Sequence, residues 1–145
     1  MERRRDFSEA YSYALKLLSK RDYSEKALKQ KLSQKFSVEV VNELLEELKA
    51  QGFVNEFEAA RNYFLSKVKK GWGRRKIAFH LKALGFREEV IKEVELTTPF
   101  DYSYAASEVK KKFDLNHDKE RKKAVAFLAR RGFSIIEINK ILNAE

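Results

Sequence analysis

The 145-residue chain carries 31 Lys and Arg against 22 Asp and Glu, a formal charge of +9, with 43% hydrophobic residues, one Pro, five Gly and no Cys. That composition suits a mostly helical protein, excludes disulfide and thiol chemistry, and contains no uncharged apolar run long enough to span a bilayer. The basic excess points to acidic partners; Met1 to Asp6 carry charge but no apolar signal core, so secretion is not expected and a cytoplasmic location is.

In chain order, amphipathic spacing predicts helices over 8–20 (Tyr11, Leu15, Leu18), 24–35 (Ala27, Leu28, Leu32) and 37–50 (Val40, Val41, Leu44, Leu45, Leu48). Ser24 and Ser37 are placed as N-caps, and Gly52 as a C-terminal stop. Asn55-Glu56-Phe57-Glu58 has a capping-box pattern and opens a second set, with helices over 55–70, 73–84 and 87–96. Thr97-Thr98-Pro99 is the clearest linker, because Pro lacks an amide and disfavours helix at the residue before it. A third set follows over 101–113, 118–131 and 134–143, its last helix opened by the capping box Ser134-Ile135-Ile136-Glu137.

These sets repeat one pattern. Leu32, Phe36 and Val41 recur as Leu81, Phe86 and Ile91, then as Leu128, Phe133 and Ile138, with the Phe always five residues before the Val or Ile. Gly85 and Gly132 precede the later Phe residues, where a left-handed residue ends a helix; the first copy lacks this Gly. The expected fold class is therefore all-α, an elongated array of three tandem three-helix modules at 1–54, 55–97 and 98–145. Each module is small, so neighbours must share surface, and function belongs on the outside of the array.

The charge is not spread evenly. Between Ala59 and Arg87 stand nine basic residues and no acidic one, which leaves 22 basic residues to balance 22 acidic ones elsewhere. On the middle helix Ile77, Leu81 and Leu84 share a face directed to the core, while Arg75, Lys76, Phe79 and Lys82 lie opposite. Phe79 and Trp72 suit stacking on a base or anchoring a protein; Phe79 suits equally well a joint between stacked modules. Lys70-Gly71-Trp72-Gly73-Arg74 reads either as an anion cradle at a helix N-terminus or as a plain turn, with Arg74 placed to brace it; it is no Walker loop.

Other features carry less. His80 and His117 have no metal-ligand spacing, and His80 extends the basic face. Glu46-Glu47 and Glu88-Glu89 point in different helical directions, which suits solvated surface. Lys110 to Lys112 and Arg121 to Lys123 are diluted by Glu108, Asp114, Asp118 and Glu120, and Arg3 to Arg5 read as a loose arm.

Ala14 to Ser24 with Leu28, Lys31 and Leu32, then Leu48 to Asn55 with Ala60 and Arg61, then Lys70 to Arg74 with Leu81 and Leu84-Gly85-Phe86, together resemble the RecX regulatory proteins. The resemblance covers nearly the whole chain and is strongest over 14–91. The chain departs from the family pattern at the position before Phe36, usually Gly; at Glu56, usually Asp; and at Ala59, usually a bulky aromatic. What the resemblance implies is a nine-helix array that binds the RecA recombinase filament on DNA and inhibits its recombinase and coprotease activity.

The expected contact residues, for DNA phosphates or an acidic face of the filament, are Lys67, Lys69, Lys70, Trp72, Arg74, Arg75, Lys76, Phe79, Lys82 and Arg87. No cofactor, metal or catalytic residue is expected, and a monomer is. Two other readings stay open: an autonomous helical DNA- or RNA-binding protein, and a generic protein adaptor.

Overall fold

The computed structural model describes residues 2–143, with side chains from Arg5 onward. Among these residues the chain forms nine α-helices and no strand: α1 (Glu2–Lys20), α2 (Glu25–Ser33), α3 (Val38–Ala50), α4 (Glu56–Val68), α5 (Arg74–Ala83), α6 (Glu88–Thr97), α7 (Ser103–Lys112), α8 (Asp118–Arg130) and α9 (Ile135–Leu142). Arg3 to Arg5 are the first turn of α1 rather than a loose arm, and the side chains of Arg3 and Arg4 lie outside the described residues.

Local chemistry sets the helix ends. Ser24, Ser37, Asn55 and Ser134 hold extended backbone and accept hydrogen bonds from the amides of Ala27, Val40, Glu58 and Glu137. Each cap satisfies an amide that a first turn leaves free, and each is worth about 1 kcal/mol. Ser134 and Glu137 complete a capping box, whereas Asn55 makes one half only.

Four helices end in the same way. Gly52, Gly71, Gly85 and Gly132 have φ of 78°, 84°, 97° and 97°, and the amides of Phe53, Trp72, Phe86 and Phe133 then donate back to the carbonyls of Leu48, Lys67, Leu81 and Leu128. This reversal folds Trp72, Phe86 and Phe133 back onto a core, while Phe53 stays exposed. The end of α2 differs, since Lys35 keeps a negative φ and the Phe36 amide bonds to Leu32 by an ordinary helical step of 2.9 Å.

The apolar stripes gather into three cores. The first holds Ala10, Ala14, Leu28, Leu32, Val41 and Leu44; the second Ala60, Phe64, Ile77, Leu81 and Val94; the third Ala105, Val109, Leu128, Phe133 and Ile138. Burying one such Leu or Ile contributes about 1.5–3 kcal/mol. Ala10 and Ala14, not the expected Tyr11, Leu15 and Leu18, are the fully buried positions of α1, because small residues let α1 sit close on α3. Leu84 is 40% exposed instead of in the core, as it caps α5 where the Gly85 turn leaves the helical stripe.

The cores meet through a repeated joint. The Gly73 amide donates to the Arg131 carbonyl at 2.7 Å and the Arg75 amide to the Gly132 carbonyl at 3.3 Å. A Cβ on Gly73 would lie 2.5 Å from the Gly132 carbonyl oxygen, and one on Gly132 would fall on the Lys76 amide. Backbone therefore packs on backbone, which only paired glycines permit. One core earlier, the Ser24 hydroxyl donates to the Leu84 carbonyl at 2.8 Å, beside Gly85. In both joints a glycine turn ending the second helix of one unit sits on the N-terminus of the second helix of the unit before. Lys35 occupies the matching turn of the first unit, which has no earlier helix among the described residues to meet. Phe100, just past the linker, bridges the second and third cores with its ring edge-on to Phe64 and to Phe133, both at 6.0 Å.

Candidate basic interface on the middle helices

Tyr63 and Lys67 are four apart on α4 and so share a face, with the Lys67 ammonium 5.3 Å from the Tyr63 ring centre. Gly71 then reverses the chain, and the Trp72 amide bonds back to the Lys67 carbonyl at 3.1 Å. That reversal places the indole where Lys67 and Lys76 both reach it, their ammonium groups 4.7 and 4.1 Å from its centre. His80, one turn beyond Lys76, sets its ring 4.8 Å from Trp72.

Electrostatics make this cluster unlike the rest of the surface. Burial, followed by the charges of Lys70 and Lys76, pushes the Lys67 ammonium below the ordinary lysine value. Among the described residues no salt bridge engages Lys67, Lys69, Lys70, Arg75 or Lys76. Cation–π contact returns roughly 0.5–1 kcal/mol per pair at exposed sites, yet the ammonium groups still repel. An arriving anion would relieve that repulsion.

The other sequence-expected positions separate from it. Lys82 pairs with Glu88 at 3.3 Å, and Arg87 pairs with the buried Glu56 at 2.8 Å and reaches Glu89 at 4.0 Å. Hydrogen bonding and charge from Glu56 hold the Arg87 guanidinium further toward its protonated form. The acid-free stretch ends at Arg87, but its last two cations are met by carboxylates just outside it. Arg74 turns inward, donating to the Glu95 carbonyl at 3.4 Å and lying 5.0 Å from the Phe100 ring, so it braces α5 against α6 and the linker. Phe79 is 71% exposed and its ring stands edge-on to His80 at 5.8 Å, so it does not fill a joint.

Of the two readings of Gly71 and Gly73, the turn holds and the anion cradle does not form. Carbonyls from the end of α8 already take the Gly73 and Arg75 amides, and a Cβ on Gly71 would strike the Glu108 carboxylate. Arg131 closes this side, donating to the Lys70 carbonyl at 2.9 Å and to Glu108 at 3.0 Å. Its role left no trace in local sequence, since Lys70 lies 61 residues away and Glu108 lies 23 away. Tyr63 was legible as the residue four before Lys67. The Lys110 to Lys112 cluster is diluted as expected, with Lys112 3.8 Å from Glu108.

Fold and surface together define the class: a helical array of three-helix units that presents a basic cluster around an aromatic ring. Comparison with known proteins places it further. Residues 10–48 match the family model of the first three-helix domain of RecX. The regulatory protein RecX of Thermus thermophilus is 34% identical over 128 residues, covering 88% of this chain and 86% of that protein. That of Haemophilus influenzae is 36% identical over 107 residues, covering 72% and 70%. The chain belongs to the RecX family of regulatory proteins. A crystal structure of RecX from Lactobacillus salivarius shares the fold, with a TM-score of 0.80 at 20% identity over 94% of each chain. Among the described residues no helix is long and apolar enough to cross a membrane.

Proposed function

We propose that this chain restrains a RecA-type recombinase filament assembled on DNA, lowering its recombinase and coprotease activity, with the Lys67, Lys70 and Lys76 cluster seated against the filament. The observation that carries this reading is the convergence of unpaired ammonium groups around Trp72 in a family of regulatory proteins. Phosphodiesters or an acidic protein face would neutralise the cluster, and counterion release would make binding depend on salt. Lys69, Arg75 and the exposed Phe79 extend the contact, whereas Arg74, Lys82 and Arg87 support the scaffold. We take 1–54, 55–97 and 98–145 as the three modules of a monomer that acts in the cytoplasm by binding, with no catalysis, cofactor or metal.

The test is recombinase ATPase activity on single-stranded DNA with and without this protein. A fall at stoichiometric amounts is expected, and no effect refutes the role. Converting Lys67, Lys70 and Lys76 to Gln should weaken filament binding and flatten its salt dependence by up to ~0.7–0.9 log units for each phosphate no longer neutralised. The same change at Lys110, Lys111 and Lys112 is the control. If the control weakens binding as much, total charge governs binding and position does not.

A further inference from the structure

Beside the basic cluster, between the first and second cores, the α1–α2 turn and α4 enclose a groove of about 390 Å³ that reaches the end of α5. Tyr63 is common to both features: it lines the groove, and its ring carries the Lys67 ammonium. Leu84, an apolar side chain left 40% exposed, forms a wall of the same groove. At its rim the Arg21 guanidinium lies over the Tyr23 ring, 4.4 Å from its centre. The Asn62 amide and the Asp22 carboxylate meet there at 3.5 Å, the limit of a hydrogen bond, so little is lost when either turns to a ligand.

Resting on the function proposed above, we infer that this groove receives one base of a single-stranded nucleic acid whose phosphates lie on Lys67, Lys70 and Lys76. The groove falls in the size range of small-ligand sites, with an apolar wall and few polar groups, which suits a flat heteroaromatic ring. An amide beside a carboxylate offers both donors and acceptors to a base edge, and stacking supplies sequence-tolerant affinity. Charge complementarity selects a nucleotide over an apolar peptide, because the Lys67 ammonium lies over Tyr63, a side chain of the groove's own lining. Tyr63 links the two halves of the site, lining the groove while the Lys67 ammonium lies over its ring.

Fluorescence anisotropy at several salt concentrations decides the matter, using a short oligodeoxyadenylate and an abasic phosphodiester of equal length. The abasic chain should bind at least ~5-fold more weakly with a similar salt slope. Asn62→Leu, at an exposed position, should lessen that difference without changing the slope, while Lys67→Gln should lower the slope. Competition by free dAMP at concentrations well below those of inorganic phosphate supports a base site. Equal binding of both chains overturns the groove while leaving the filament role intact, and a base preference unaltered by Asn62→Leu overturns its location. Absence of oligonucleotide binding at low salt overturns the groove as well, and the ATPase assay then judges the filament role by itself.

Discussion

The joint between the second and third cores can be taken apart with glycine substitutions that separate its two demands. Gly52 has φ of 78° with nothing within 4 Å of the place a Cβ would take, so Gly52→Ala tests left-handed backbone alone. The conformation costs an L-residue about 1–2 kcal/mol, offset by the ~0.4–1 kcal/mol that Ala gains over Gly through a less flexible unfolded chain. Gly73 has an ordinary φ of −90°, but its Cβ would lie 2.5 Å from the Gly132 carbonyl oxygen. Gly73→Ala must push the joint open, breaking two interunit backbone hydrogen bonds and parting Phe100 from Phe133, at a cost of about 2–4 kcal/mol. Gly132 combines both demands, and Gly132→Ala should cost about 3–6 kcal/mol. Gly85 should fall between Gly52 and Gly132, since its Cβ would meet the movable Ser24 hydroxyl at 3.0 Å. Urea unfolding followed by circular dichroism gives the ranking. If Gly73→Ala costs no more than Gly52→Ala, the close backbone approach does not hold the units together.

Leu81→Ala should destabilise by ~2–5 kcal/mol, because Leu81 is fully buried beside Ile77, while Lys82→Ala should stay within ~0.5 kcal/mol; the reverse order in denaturant melts would refute the packing. A chain ended before Asp101 should melt its remaining helices at lower temperature, since Gly73 loses its acceptor and Phe100 loses Phe133; unchanged melting would show that the units do not lend stability to one another. Burial alone would raise the Glu137 carboxyl, but hydrogen bonds from Ser134 and Tyr102 and the Arg74 charge hold it below the usual value. Its contribution is therefore present above the unfolded carboxylate range and is lost as pH falls through the folded value. Acid unfolding of Glu137→Gln should accordingly be less steep than that of the unaltered protein, and parallel curves would refute the assignment.

Helices, caps and glycine turns were legible because each depends on residues within one or two turns of one another. Ser24, Ser37 and Ser134 stand where their side chains reach the third amide on, and the Leu and Phe repeat marks three helix ends, two of them with Gly. The site was legible only in part. Spacing alone places Lys82 and Arg87 on a basic surface, yet their partners Glu88 and Glu56 come from the neighbouring turn and a different helix. Gly73 carries the same conformational signal whether its amide meets an anion or the carbonyl of Arg131. Choosing between them requires knowing that the end of α8 returns to the start of α5, which no local pattern encodes. Leu84 was misplaced for a related reason, since the helical period stops at the Gly85 turn and the groove beyond it is formed by distant residues.

The same contacts that stack the units also hold the basic cluster in shape. Lys70 is fixed through its carbonyl by Arg131, and the backbone of Lys76 lies directly on Gly132. Two of the three crowded ammonium groups are thus positioned from the third unit, although every one of them belongs to the middle stretch. Burial is the larger cause of the Lys67 depression, and loosening the joint should relax the part that Lys70 and Lys76 add to it, as well as lower stability. Gly73→Ala therefore has a consequence that a purely structural defect lacks: the Lys67 amine, followed by NMR titration, should shift back toward the ordinary lysine value under conditions where the protein remains folded. A Lys67 titration unchanged in that variant would mean that burial within α4 and α5 sets it, and that the third unit contributes stability without shaping the basic cluster.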